Sequence, residues 1–280
     1  MDHLRGFGIE ILRLVAWLLL LLAIFIPLER LWAVHPQRIF RREVWLDLGY
    51  YFLNSLLLTT LLVVPIAVLA RLLHALVPGP LLTLAGGLAF APRVALAMLV
   101  GEFGAYWAHR WMHEVPFLWR FHAVHHNAEQ IDWLVGTRAH PLDLVFTRVS
   151  AFIPMYVLGL AKPVENTADP VWVAIVIIGT IWGFFIHANA RLRFGPLEWL
   201  VTTPAFHHWH HTNDARRDNN YSSLLPVMDW LFGTFYLPRR QWPPCYGIDN
   251  PLPDGLGEQL VYPLLPSRHP RPAIDPPREA

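Results

Sequence analysis

Long uncharged runs, separated by short arginine-rich connections, dominate this chain. A helix needs about 20 mostly apolar residues to cross a hydrocarbon core, because lipid offers no partner to an unpaired backbone group. Leu14 to Trp32 contains LVAWLLLLLAIFIPL, with Pro27, Glu29 and Arg30 marking its end. Leu48 to Ala70 carries no charge, and Pro170 to Ala190 contains VWVAIVIIGTIWGFFIHANA. Val94 to Ala108 and Leu144 to Ala161 have similar character but contain Glu102 and Arg148. The run Leu81 to Pro92, weakened by Gly86 and Gly87, is too short to span and predicts a re-entrant or interfacial piece. No small-residue cleavage pattern follows the first run, which is read as a retained anchor rather than a signal peptide. The pattern predicts an all-α polytopic integral membrane protein with four to five transmembrane helices.

The connections set an orientation. Arg30, Arg38, Arg41 and Arg42 follow the first run, Arg110, Arg120 and Arg138 the third, and Arg191, Arg193, Arg216, Arg217, Arg239 and Arg240 the fifth. The opposite loops hold Arg71, Arg93 and Lys162, so the positive-inside rule assigns the richer set to the cytoplasm. Ten prolines from Gln241 onward predict an extended tail without its own core. Three regions are expected: an N-terminal transmembrane anchor over 1–93, a histidine-bearing domain over 94–240, and a Pro-rich tail over 241–280.

Composition narrows the chemistry. Charged residues are 15% of the chain, against about 25% in ordinary soluble domains. A net charge of +1 gives no global basic surface for nucleic acid. A lone cysteine, Cys245, excludes an intramolecular disulfide framework, a CxxC pair and any cysteine-based zinc or iron–sulfur cage. The chain has 15 histidines, nine of them within 109–126 and 207–211. The expected topology puts these on the cytoplasmic side together with His140 and His187. His74 falls in an outer loop, and His3 and His269 lie near the termini.

Three histidine groups carry the chemistry. His109 and His113 stand four apart and share a helical face if the third span continues past the interface. His122, His125 and His126 have i, i+3, i+4 spacing, and His207, His210 and His211 repeat it, each trio being expected on one face. His208 falls about 100° away, as a spectator or a residue supporting the ligands. Eight imidazoles exceed what one ion takes, so two metals fit better; imidazole suits iron, zinc and copper alike. A zinc-protease HExxH fails, because His113-Glu114 reaches Phe117 where the second ligand belongs. A GxSxG elbow is absent. A non-catalytic protein that binds or transports zinc is the competing reading, although transport calls for ionisable residues deep in several spans.

In this order the motifs resemble the fatty acid hydroxylase/sterol desaturase superfamily of membrane di-iron oxygenases. Flanking residues match as well: Glu102 ahead of Tyr106-Trp107-Ala108-His109-Arg110, Arg138-Ala139-His140-Pro141 as an RxHP turn, His187 with Asn189 as an HxN element, and Asn220-Tyr221 followed by Asp229 and Phe232-Gly233-Thr234. Ser222 replaces the family's usual glycine and Met228 its usual tryptophan, which bears on substrate fit more than on metal binding. The resemblance covers about 94–237.

It implies two Fe in a cytoplasmic helical cap, with O2 as co-substrate and a lipid C–H bond as target, for hydroxylation or desaturation. It also makes His187 a ninth ligand and 94–240 the catalytic domain; His140, where Pro141 makes the turn, is a further ligand or a cap. Glu102, two turns before His109, is expected to orient a ligand histidine, and Asp229, like Asp132, Asp143 and Asp214, to cap a loop or support a ligand. With no GxGxxG or haem-attachment pattern, electrons must come from a separate cytochrome b5-type or ferredoxin-type donor and a reductase using NAD(P)H, docking on the arginines of 191–217.

Overall fold

The computed structural model describes residues 2–74, 77–161, 169–239 and 241–265. Its regular elements are helices, and among the described residues no strand forms beyond an isolated bridge between Thr212 and Tyr246. Ten α-helices follow in order: α1 (Asp2–Trp32), α2 (Val44–His74), α3 (Gly79–Gly86), α4 (Phe90–Glu114), α5 (Pro116–His126), α6 (Pro141–Val157), α7 (Pro170–His187), α8 (Pro204–His210), α9 (Val227–Phe232) and α10 (Leu256–Val261).

Among the described residues two helices are long and apolar enough to cross a membrane, Leu4–Trp32 and Pro170–His187. The other expected spans differ for local reasons. α4 carries Arg93 and Glu102 and ends on a polar turn, and α6 stops after 17 residues. α2 contains the uncharged run Leu48 to Ala70, several of whose side chains lie outside the described residues. The run Leu81 to Pro92 is not one piece: α3 ends at Gly86, and α4 starts at Phe90. α7 releases the chain at Ala188, inside the expected fifth span.

Between Leu14 and Leu28 α1 is apolar around its whole circumference, with Leu19 and Ile24 exposed while Leu21 and Phe25 are buried. Phe25 stacks on Trp133, whose ring also meets Phe184 of α7. α4 and α6 cross at glycine: a Cβ on Gly104 would fall 1.9 Å from the Ser150 carbonyl oxygen, so only hydrogen fits there. α2 completes this layer, Leu62 and Ile66 packing on Leu144, Val149 and Phe152 of α6.

A buried ionic network ties the α5–α6 connection to α2. Arg41 bridges Asp132 and Asp47, and Arg138 reaches Asp47 and Glu43. Single removal of a member of such a network leaves an unpaired buried charge, at a cost of about 3–5 kcal/mol.

Residues 241–265 pack on the body rather than standing away from it. Leu252 is buried with Tyr50 and Val124, its amide donates to Asn127 Oδ1, and Tyr50 Oη pairs with Gln259. The remainder of the expected tail, with His269, lies outside the described residues.

Candidate metal centre

Four short chain segments bring nine histidines together. α4 runs unbroken through His109 and His113 to Glu114. Val115 turns extended and Pro116 starts α5, which carries His122, His125 and His126 back along the same side. α7 delivers His187 in its last turn. Thr203 caps α8 by accepting from the Phe206 amide, which fixes the turn bearing His207 and His210, with His211 at its end.

The nitrogen atoms form two buried groups, each within 4.8 Å of mutual reach. His109, His113, His122, His126 and His210 make one; His125, His187, His207 and His211 make the other. Each HxxHH trio is therefore divided, contrary to the one-face expectation. His122 and His126, four apart, face the first group while His125 turns to the second. His207 and His211, also four apart, face the second while His210 turns to the first. The i and i+4 rings stay on one stripe, and the i+3 ring crosses the seam between the groups.

Most of these rings are held from behind. His109 Nδ1 donates to the Tyr221 carbonyl at 2.6 Å, His125 Nδ1 to Arg138 O at 2.8 Å, His187 Nδ1 to Gly183 O at 2.6 Å and His210 Nδ1 to Asn219 O at 2.9 Å. His122 and His113 use Asp143 and Asp218 in the same way, at 2.8 and 3.1 Å. A carbonyl can only accept, so the proton sits on Nδ1 and the Nε2 lone pair faces inward. Between His125 and His187 two such bare Nε2 atoms stand 3.2 Å apart. Those lone pairs repel unless a cation lies against both. The donor set thus fits divalent metal.

Burial favours the neutral, metal-binding form. It lowers the pKa of His125 to about 4, and with neighbouring rings it carries His126, His207, His210 and His211 well below the ordinary value. Burial alone would raise Asp143, but the facing His122 prevails and holds it below the usual carboxylate range.

Other expected site residues are placed differently. His140 joins neither group: it is the N-cap of α6, its Nδ1 accepting from the Leu142 amide and its Nε2 donating to Leu260 O, so no ring nitrogen remains for a metal. His208 is used up likewise, between Tyr246 Oη and Ala188 O. Glu102 touches no histidine. Its Oε1 accepts from the amides of Ser223 and Leu224 and so pins the loop after α8 to α4. Asp229 accepts from the Tyr221 and Ser222 amides, which sets the Tyr221 carbonyl against His109. Asn220 supports the same turn at φ 61°, a conformation asparagine tolerates, with its side chain bonded to Phe206 O and Tyr236. Asn189 accepts from the Val34 and His35 amides and fastens the end of α7 to the α1–α2 connection. Asp218 and four backbone carbonyls were not singled out from the sequence; a carbonyl has no sequence signature, and Asp218 is one acidic residue in a polar loop.

A family profile described as fatty acid hydroxylase matches residues 94–234, half of the chain and the stretch that contains all nine converging histidines. The chain belongs to the fatty acid hydroxylase family. Within this family's wider kin, it is 37% identical over 174 residues to an ornithine lipid hydroxylase of Rhizobium tropici, covering 61% of this chain and 50% of that protein. It is 31% identical over 157 residues to an alkylglycerol monooxygenase of Homo sapiens, covering 56% and 33%. A Delta(7)-sterol 5(6)-desaturase of Gibberella zeae is 30% identical over 152 residues, covering 52% and 38%. The match to these curated relatives spans half of their length or less. No solved structure matches.

Proposed function

We propose that this fatty acid hydroxylase family member is a multi-pass membrane oxygenase that uses O2 and external electrons to hydroxylate or desaturate a lipid C–H bond. One observation carries the reading: nine buried imidazoles in groups of five and four, with nitrogen lone pairs directed at one another. His109, His113, His122, His126 and His210 would hold one iron, and His125, His187, His207 and His211 the other. Within the groups the Nε2 atoms of His109–His122, His126–His210, His187–His207 and His207–His211 lie at 3.0, 3.1, 2.9 and 3.1 Å, close enough for each pair to face one ion.

When bound, two irons supply the reductive activation of O2 that an unactivated C–H bond requires. The chain's own residues do the rest. Asp143, Asp218 and the carbonyls of Tyr221, Arg138, Gly183 and Asn219 fix the rings before metal arrives, which limits rearrangement during turnover. The buried surroundings exclude water from the reaction. Glu102 and Asp229 position the 221–224 loop over this chamber.

We place the histidine cap on the cytoplasmic side, where a cytochrome b5-type or ferredoxin-type donor and its NAD(P)H-dependent reductase would reach it. The surface for an acidic donor is narrower than the arginine count: Arg193 is exposed but bound to Glu198 and Arg217 lies buried over Trp119, which leaves Arg191 and Arg216 exposed without a carboxylate among the described residues. The catalytic unit extends past residue 240, since Tyr246 holds His208.

The names of the relatives point to a lipid substrate. Lipid extracts from cells with and without the gene, compared by mass, test this directly: a lipid that gains one oxygen or loses two hydrogens only when the gene is present supports the oxygenase. Identical lipid profiles, with the protein present and iron-loaded, overturn it.

A further inference from the structure

α6 carries one partly buried arginine to the wall of two largely apolar cavities, and among the described residues nothing neutralises it. Arg41, Arg93, Arg110, Arg138 and Arg193 each meet a carboxylate. Arg148, by contrast, has no hydrogen bond or ion pair among the described residues, and it lines the cavities only partly exposed. A cation in a low-dielectric site without a counter-charge is costly, and within a membrane it marks a ligand path by default.

The surroundings of Arg148 are hollow. It lines two cavities, of about 230 and 360 Å³, that share Gly179, Thr180 and Gly183 as further walls. The hollow is made by α7 itself, because a Cβ added at Gly179 or Gly183 would meet nothing within 4 Å. Its walls adjoin one histidine: Gly183 O takes the proton of His187, and a Cβ on Gly136, in the wall of the larger cavity, would lie 3.2 Å from Nδ1 of the same ring. At 1.5 Å per residue, Gly183 and Gly179 stand about 6 and 12 Å below His187 along α7. Most other walls are hydrocarbon, including Leu62, Leu144, Phe152, Met155 and Ile175. The one carboxylate in the lining is Glu102, whose Oε1 is already taken by two amides.

Resting on the oxygenase reading, we infer that Arg148 is a specificity-determining residue that receives an anionic group of the lipid substrate, a carboxylate or a phosphate, inside the cavity beneath His187. The guanidinium fork pairs with two oxygens of either anion, and the hydrocarbon walls take the adjoining chain. The site disfavours a substrate whose polar end is uncharged, since that would leave Arg148 uncompensated.

Equilibrium binding to the full chain in neutral detergent tests this, with spin-labelled stearate as reporter and stearate, a monoacylglycerol phosphate and octadecanol as competitors. Iron content is measured on the same samples. The wild type should bind at least one anion about ten- to a hundredfold more tightly than octadecanol, the range for hydrogen bonds to charged groups. The tighter of the two anions identifies carboxylate or phosphate as the source. Arg148→Met and, as a second folded comparison, Arg148→Gln should each reduce anion affinity to that of octadecanol while leaving octadecanol binding unchanged. A wild type without anion preference, or either variant that keeps it, overturns the inference. Iron-loaded protein lacking the preference would leave the oxygenase standing; iron-free protein that retains it after iron loading would do the reverse.

Discussion

The Nδ1–H of His122 donates to Asp143 Oδ2 across 2.8 Å, and both side chains are buried. Asp143 sits in the first turn of α6 and His122 in α5, so one contact fixes a ring orientation and joins two helices at the centre. Replacing Asp143 by Asn leaves the shape but removes the charge that favours the Nδ1 proton. We expect Asp143→Asn to lower iron affinity and turnover about 10- to 100-fold, as for other partners behind ligating histidines. Chelator competition on the purified protein checks it; unchanged affinity would falsify the role of Asp143.

Glu102 is predicted to act on a loop and not on a metal. Glu102→Ala removes the acceptor of the Ser223 and Leu224 amides and should destabilise the protein by about 1–3 kcal/mol, with reduced turnover. Glu102→Gln keeps one carbonyl acceptor and should recover much of that stability. Both variants should retain the wild-type iron content, measured by elemental analysis alongside thermal melts. Iron lost from Glu102→Gln would contradict this placement.

Acid should weaken the metal-free protein. His125 has its pKa lowered to about 4, and His126, His207, His210 and His211 are lowered well below the ordinary value, all chiefly by burial. The unfolded chain takes up protons near pH 6.5 that the folded chain refuses, so this stability is present above about 6.5 and is lost as pH falls toward 4. Thermal melts of apo-protein between pH 7.5 and 4.5 should show a falling midpoint, with iron moving the loss to lower pH because protons compete for the same nitrogens. A flat midpoint would contradict buried neutral rings.

The sequence made the helical character, the histidine clustering and the family's flanking motifs legible, because apolar runs and i, i+4 spacing are one-dimensional signals. The partition of rings between groups was not legible. His125 and His210 are each one residue from a ring of the opposite group, and only the packing of α5 against α8 and α7 decides where each points. The RxHP turn left His140 open as a ligand or a cap; the extended backbone before Pro141 makes it a helix cap, and Leu260, 120 residues away, takes its other nitrogen. Glu102 follows the same pattern, since its amide partners at 223 and 224 belong to a loop whose fold depends on Asn220 and Asp229.

Metal stoichiometry of the full chain tests the central claim most directly. Protein purified in detergent from iron-supplemented cells, with iron and zinc quantified per chain, should hold two irons, and His187→Ala should lose the ion of the four-histidine group while keeping the other. One metal or none per wild-type chain after iron loading, or full occupancy by zinc in its place, would contradict the account.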